Sequence, residues 1–204
     1  MSRGKDGKKR SHTRRTVLAL MGVFAVLTAA FSVAAGLTGR DPWIAFSLVC
    51  GTTLYHIVMR LAVGTAVKKG AGRLRPDGFW FRPKKFEAPL YRFLRVGEWK
   101  KFAPTYDPAG FDMRRHTPDE LIRSTCAAEL THEIAAAAGW LTLVLSLFTD
   151  DWRIYIWIFA ATAFVAGAAE LAFVAIQRFN RPRLIRLRER IAARRGARYG
   201  SFGF

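Results

Sequence analysis

Cysteine is nearly missing from this sequence. The two present, Cys50 and Cys126, stand outside any C-x-x-C or Cys/His spacing, which excludes a disulfide scaffold and a zinc ribbon. Acidic residues are scarce, 15 against 33 Lys and Arg, for a formal net charge of +18. Nucleotide-binding signatures are lacking too, since neither G-x-x-x-x-G-K-[ST] nor G-x-G-x-x-G occurs. Thr131-His132-Glu133 has no second His to make H-E-x-x-H, so a metal site drawn from His56, His132, Glu129 and Glu170 is the weaker reading and no metal is expected. Internal repeats are absent. An even spread of charge is missing as well: only 24% of residues are charged, and the apolar residues bunch into four long runs. That bunching argues against a soluble enzyme and against a disordered tail protein, because a bilayer crossing takes about 20 apolar residues.

Residues 1–16 are polar and basic. Val17 to Leu37 is almost unbroken apolar sequence, too long for the core of a secretory signal, and a second apolar run follows within a few residues. It is therefore expected to stay as a membrane helix. Thr38-Gly39-Arg40-Asp41-Pro42 reads as a tight turn. Trp43 sits at an interface position, and the second span runs to about Val67. Residues 68–117 are basic, aromatic and rich in Gly and Pro. Within them Leu90–Lys101 suits an amphipathic helix in the headgroup region, or an ordinary loop with a few core contacts. Thr117-Pro118-Asp119-Glu120 spells a capping box with Pro at the first helical position, predicting a third helix through Leu121–Phe148. Thr149-Asp150-Asp151 reads as a turn, and a fourth helix continues to about Ile176. An Arg-rich tail fills 178–204.

The expected fold is therefore an all-α integral membrane protein. Four transmembrane helices form two hairpins, 17–67 and 118–177, on either side of an aromatic and basic cytosolic loop. The N-terminal tail holds 7 Lys and Arg, the Lys68–His116 loop 13 and the stretch from Arg178 nine, whereas the short turns hold Arg40 and Arg153. The positive-inside rule then puts both termini and the loop in the cytosol. The positive charge reports topology and contact with anionic lipid, so nucleic acid is not an expected partner.

Ionisable groups inside a span are costly and default to a functional reading. His56 and Arg60 share a face of the second helix at i,i+4. Thr125, Glu129 and His132 share a face of the third at i, i+4, i+7, with Glu133 beside them. Glu170 lies seven residues before Gln177 on the fourth, about 10 Å at the helical rise. All fall in the cytosolic half, which suggests a polar pocket open to that leaflet; snorkelling of Arg60 and interfacial carboxylates are the plainer explanation. A His beside a carboxylate suits general-base catalysis on a hydroxyl, with Glu129 positioned to orient His132 at i,i+3.

Three segments then stand out together: Tyr91-Arg92-Phe93-Leu94-Arg95-Val96-Gly97-Glu98-Trp99-Lys100-Lys101, Thr125-Cys126-Ala127-Ala128-Glu129-Leu130-Thr131-His132, and Gln177-Arg178-Phe179-Asn180-Arg181-Pro182-Arg183-Leu184. With Arg194-Arg195-Gly196 they make the chain resemble the glycosyl-4,4′-diaponeurosporenoate acyltransferase family. These are small bacterial membrane proteins acting late in the making of a carotenoid glycolipid. The resemblance covers about Leu90 to Arg198, and the Gln177–Leu184 segment is its most specific part. Ser124 stands where the family has Glu, and Ala127 where a basic residue is common.

The resemblance implies transfer of a fatty acyl group to a sugar hydroxyl of a membrane glycolipid in the bacterial inner membrane. No bound cofactor is implied; the donor would be an acyl-CoA or an acyl carrier protein. His132 would be the base, with Glu129 and Thr125 beside it in the catalytic group. Gln177, Arg178, Asn180, Arg181 and Arg183, with Trp99, Lys100 and Lys101 at the same entrance, would bind donor phosphates or an acidic carrier. His56, Arg60 and Glu170 would complete the substrate site. Two other readings stay open: a non-catalytic lipid-binding scaffold, and an enzyme modifying an isoprenoid or cell-wall lipid.

Overall fold

The computed structural model describes residues 3–103, 111–149 and 151–200, with side chains from Arg15 to Arg194 apart from those gaps and Phe148. Residues 104–110 of the basic loop, Asp150 of the second turn and the chain's extreme ends (1–2 and 201–204) lie outside the described residues. Among the described residues there are seven α-helices: α1 Arg3–Thr38, α2 Asp41–Gly70, α3 Glu87–Phe93, α4 Val96–Trp99, α5 Pro118–Gly139, α6 Thr142–Leu145 and α7 Trp152–Gly200. No strand occurs among the described residues.

Three helices are long and apolar enough to cross a membrane: Arg15–Thr38, Asp41–Arg73 and Trp152–Arg194. The protein is thus an all-helical membrane protein. The third run departs from the expected unbroken helix over Leu121–Phe148. α5 stops at Gly139, and short helical pieces at Thr142–Leu145 and Ser146–Phe148 follow. The Tyr55 hydroxyl donates to the Ala138 carbonyl at 3.0 Å, satisfying an acceptor that the helix end releases. Two other elements are longer than expected. α1 begins at Arg3 rather than after a basic tail. α7 does not stop near Ile176 but runs through Pro182 to Gly200. Pro182 supplies no N–H to the Arg178 carbonyl, yet the helix continues because Leu, Ile, Ala and Arg around it are good helix formers. Half-buried Leu184, Ile185 and Leu187 and a 3.3 Å contact from Arg188 to Asp119 hold the extension against the rest of the chain.

Leu90–Lys101 is not one amphipathic helix. Arg95 adopts φ 51°, the left-handed region, and separates α3 from α4. Tyr91 and Val96 are buried, while Phe79, Phe86, Phe93 and Phe102 are exposed.

α5 packs along α7, α2 packs on both, and α1 packs on α2. Along α5 and α7 the contacts run in opposite order: Thr125 meets Arg181, Glu129 meets Arg178 and His132 meets Glu170. Ile122, Cys126 and Ala135 of α5 are buried, as are Phe159 and Ala163 of α7. α1 joins α2 through Ser32 Oγ to Ser47 Oγ at 2.7 Å and a stack of Phe31 on Trp43.

The start of α5 is fixed by its cap. Glu120 N donates to Thr117 Oγ1 at 3.3 Å, and Thr117 N donates to Glu120 Oε2 at 2.9 Å. The Thr117 N–H holds the Glu120 carboxyl below the ordinary carboxylate range. The capping contribution of that carboxylate is therefore complete above the usual Glu value and is lost as pH falls through the lower folded one. Thr117→Ala should cost about 1 kcal/mol, read as a lowered denaturation midpoint in detergent; an unchanged midpoint would make the box a local ornament.

Candidate functional site

Two polar clusters sit between α5 and α7. The first is a buried ion-pair network. Arg181 and Glu129 are fully buried, and Arg181 Nη2 donates to Glu129 Oε2. Arg181 also reaches the Phe81 carbonyl at 2.9 Å through Nη1 and Thr125 Oγ1 at 3.3 Å through Nε. Thr125 itself donates to the Ile122 carbonyl at 2.7 Å, so its hydroxyl is fully engaged in positioning Arg181. Arg178 Nη1 donates to Glu87 Oε1 at 2.6 Å. Arg178 Nη2 lies 2.9 Å from the Trp80 carbonyl, 2.7 Å from Glu129 Oε1 (outside hydrogen-bond alignment) and 3.7 Å from Glu133 Oε1. Trp80 Nε1 donates to Glu133 Oε2 at 2.7 Å.

This network fastens the 77–103 segment to α7, and Lys100 adds a 2.6 Å bond to Asn180 Oδ1. Burial and the neighbouring Arg183 lower the Lys100 ammonium. Burial and the nearby Glu87 carboxylate push the Tyr91 phenol up to about 12, so it stays neutral against Phe179, 6.3 Å between ring centroids. Removing Glu87 takes away a charge-assisted bond worth about 1.5–3 kcal/mol. Glu87→Ala should therefore accelerate tryptic cleavage at Lys84 and Lys85 in membranes; an unchanged digestion rate would mean the segment is held elsewhere.

The second cluster is a smaller relay. His132 Nδ1 lies 2.5 Å from Glu170 Oε2, and Arg60 Nε lies 3.3 Å from Glu170 Oε1. Phe173 carries both neighbours: the His132 ring stacks on it at 4.9 Å and 11°, and the Arg60 guanidinium sits 5.0 Å from its centroid. Nδ1 is committed to the carboxylate, and Nε2 makes no hydrogen bond among the described residues. His56 of α2 lies against Gly139 of α5. A Cβ at Gly139 would come within 3.1 Å of His56 Cε1, so glycine there makes room for the ring. His56 Nε2 is buried and has no hydrogen-bond partner among the described residues.

The residues singled out in the sequence therefore divide. His132, Glu170 and Arg60 come together, and His56 lines a groove between α2 and α7 with Arg60 and Glu170. Glu129 does not orient His132; both face α7, but Glu129 pairs with Arg181 and Arg178 and His132 with Glu170. Arg178 and Arg181 spend their charge on internal carboxylates, which removes them as ready phosphate ligands. Asn180 is taken by Lys100, while Arg183 lies over Phe179 at 4.4 Å and Lys101 is exposed. Trp99 Nε1 caps the Leu94 carbonyl at 2.9 Å. Gln177 is half-buried and makes no side-chain hydrogen bond among the described residues. Glu87, Trp80 and Phe173 were not singled out. The one available signal was Glu87, an acid in a strongly basic loop.

Fold and site together define a helical membrane protein with a carboxylate-held histidine on an internal face. The chain belongs to the glycosyl-4,4′-diaponeurosporenoate acyltransferase family, whose model matches residues 77–190. The match takes in His132, Glu170 and the whole ion-pair network and leaves out α1 and α2, with His56 and Arg60. No curated protein matches the chain, and no solved structure does.

Proposed function

We propose that this protein transfers a fatty acyl group from a thioester donor to a sugar hydroxyl of a membrane glycolipid, with His132 as general base. The observation that carries the reading is the 2.5 Å contact between His132 Nδ1 and Glu170. Donation from Nδ1 to the carboxylate leaves Nε2 as the basic nitrogen and stabilises the imidazolium when it forms. Nε2 takes the hydroxyl proton as the oxygen attacks the acyl carbonyl carbon. A C–O ester bond forms, the C–S bond breaks, and the proton passes from Nε2 to the leaving thiolate. The side of the bundle bearing Lys100, Lys101 and Arg183 is the proposed donor side, facing the cytosol. There the charges suit an acyl-CoA or an acyl carrier protein. On this reading both termini are cytosolic, and α5 with the short helical pieces after it serves as the fourth membrane element.

The test is comparative lipid mass spectrometry of membranes from cells with the protein, without it, and with His132→Ala. A lipid that loses one acyl-chain mass in both the null and the variant supports the reading. A protein that binds glycolipid but leaves every lipid mass unchanged, in cells containing glycosylated lipid, would instead be a binding scaffold.

A further inference from the structure

A groove of about 470 Å³ runs between α2 and α7, with Glu170, the partner of His132, on its wall. That size falls within the range of ligand clefts, about 300–1,000 Å³. Its walls are both helices long and apolar enough to cross a membrane, and Val165 on its wall is exposed, so it opens sideways to lipid. One part is lined by Ile57, Val165 and the small residues Ala161, Ala166 and Ala169, a smooth apolar trough. The other part is polar, with His56, Arg60 and Glu170.

These polar groups have unspent capacity. His56 Nε2 is buried and has no hydrogen-bond partner among the described residues. A buried nitrogen left unsatisfied is costly, which favours a ligand group that supplies its hydrogen bond. Arg60 contacts Glu170 through Nε alone, and its side chain is 41% exposed, so the two terminal nitrogens of the guanidinium are available. Thr53 and Thr162 have committed their hydroxyl protons, to the Val49 carbonyl at 2.7 Å and to the Ile158 and Phe159 carbonyls at 3.0 Å, and can only accept in the groove. An acyl-CoA headgroup would bring several negative charges to a place offering one cation already paired with Glu170. A neutral head bearing several hydroxyls on an apolar tail fits better: a hydroxyl meets His56 Nε2, ring oxygens meet the Arg60 donors, and the tail lies in the trough.

We infer that the α2–α7 groove is the bilayer-facing subsite for the sugar-bearing acceptor lipid, which His56 and Arg60 hold by its head beside the Glu170–His132 couple. The inference rests on the acyl-transfer reading for the identity of the occupant. It assigns to α2, outside the matched family region, the task of reading the acceptor.

The test uses an alkyl glucoside with a diazirine in its chain, photolysed with the full-length protein in membranes, and peptide mass spectrometry to map the label. Label is expected on residues 161–169 and Ile57. Ala166→Phe, which fills the trough, should remove that label. Ala62→Phe, in the separate groove between α1 and α2, should leave it in place. His56→Leu and Arg60→Met should each raise the glucoside concentration needed for half-labelling by ~10-fold, the worth of about one such hydrogen bond. A fatty acid with the same chain and diazirine should label the groove poorly. Label in the α1–α2 groove, labelling insensitive to Ala166→Phe, or equal labelling by the fatty acid overturns the inference. The two readings fail separately. Groove labelling by the glucoside without any acyl transfer would sink the enzymatic proposal and leave a sugar-lipid site. Acyl transfer that depends on His132, with the label elsewhere, would sink only the groove.

Discussion

His132→Gln should lower the rate of acyl transfer by ~10²–10⁴-fold, the usual contribution of a general base. Protein abundance and membrane insertion should stay unchanged. Glutamine keeps a polar group of similar reach at position 132 but supplies no basic nitrogen, so the loss isolates proton transfer from packing. Glu170→Gln makes the complementary test. It can still contact Nδ1 but carries no charge to stabilise the imidazolium, and a bond to a charged group is worth about 1.5–3 kcal/mol, or ~10–150-fold in rate. The effect should fall on kcat, because Glu170 Oε2 meets His132 rather than the substrate. A His132→Gln protein that retains its rate would remove this residue as the base. A Glu170→Gln variant affected only in KM would make Glu170 a binding group.

The second large effect concerns folding. Arg181→Met should destabilise the protein by about 3–5 kcal/mol, because it leaves a buried carboxylate without its main partner. Glu129 is fully buried, and among the described residues its second oxygen has only Arg178, which is also held by Glu87 and the Trp80 carbonyl. Arg181 in turn ties three pieces of chain together: α7 itself, Thr125 and Glu129 of α5, and the Phe81 carbonyl of the loop. The double variant Arg181→Met, Glu129→Gln should recover part of the loss, since no unpaired charge then remains buried. Thermal unfolding in detergent gives both values. Equal midpoints for Arg181→Met and the natural protein would mean that water reaches Glu129 and the network is not sealed.

This network bears on the two positions that depart from the family pattern. Ser124 and Ala127 are half-buried on α5, and neither belongs to the His132–Glu170–Arg60 relay. The departures thus fall beside the groups proposed for the chemistry rather than on them.

Much of the molecule was written locally. The long apolar runs at Val17–Leu37, Trp43–Val67 and Trp152–Ile176 identify membrane helices, because transfer into lipid depends on the composition of the segment alone. The capping box at Thr117–Glu120 was equally legible, since its two bonds join residues three apart. The break after Gly139 was not, because it reflects how the α5 end meets Tyr55 and His56 on another helix. Nor was the break at Arg95, where a left-handed residue splits a stretch whose apolar spacing suited one helix.

The sequence by itself determined that the protein is helical and built for a membrane, and it picked out His132, Glu129, Glu170 and Arg60 as misplaced polarity in apolar surroundings. Only the tertiary structure decided which of them meet. Side chains three residues apart on one helix, such as Glu129 and His132, stand side by side and both point at whatever packs opposite. On the antiparallel face of α7 the residues opposite are Arg178 and Arg181 for one and Glu170 for the other. Burial then separates their roles. A sealed carboxylate is stable only against guanidinium groups, while a histidine held by one nitrogen keeps the other for a substrate.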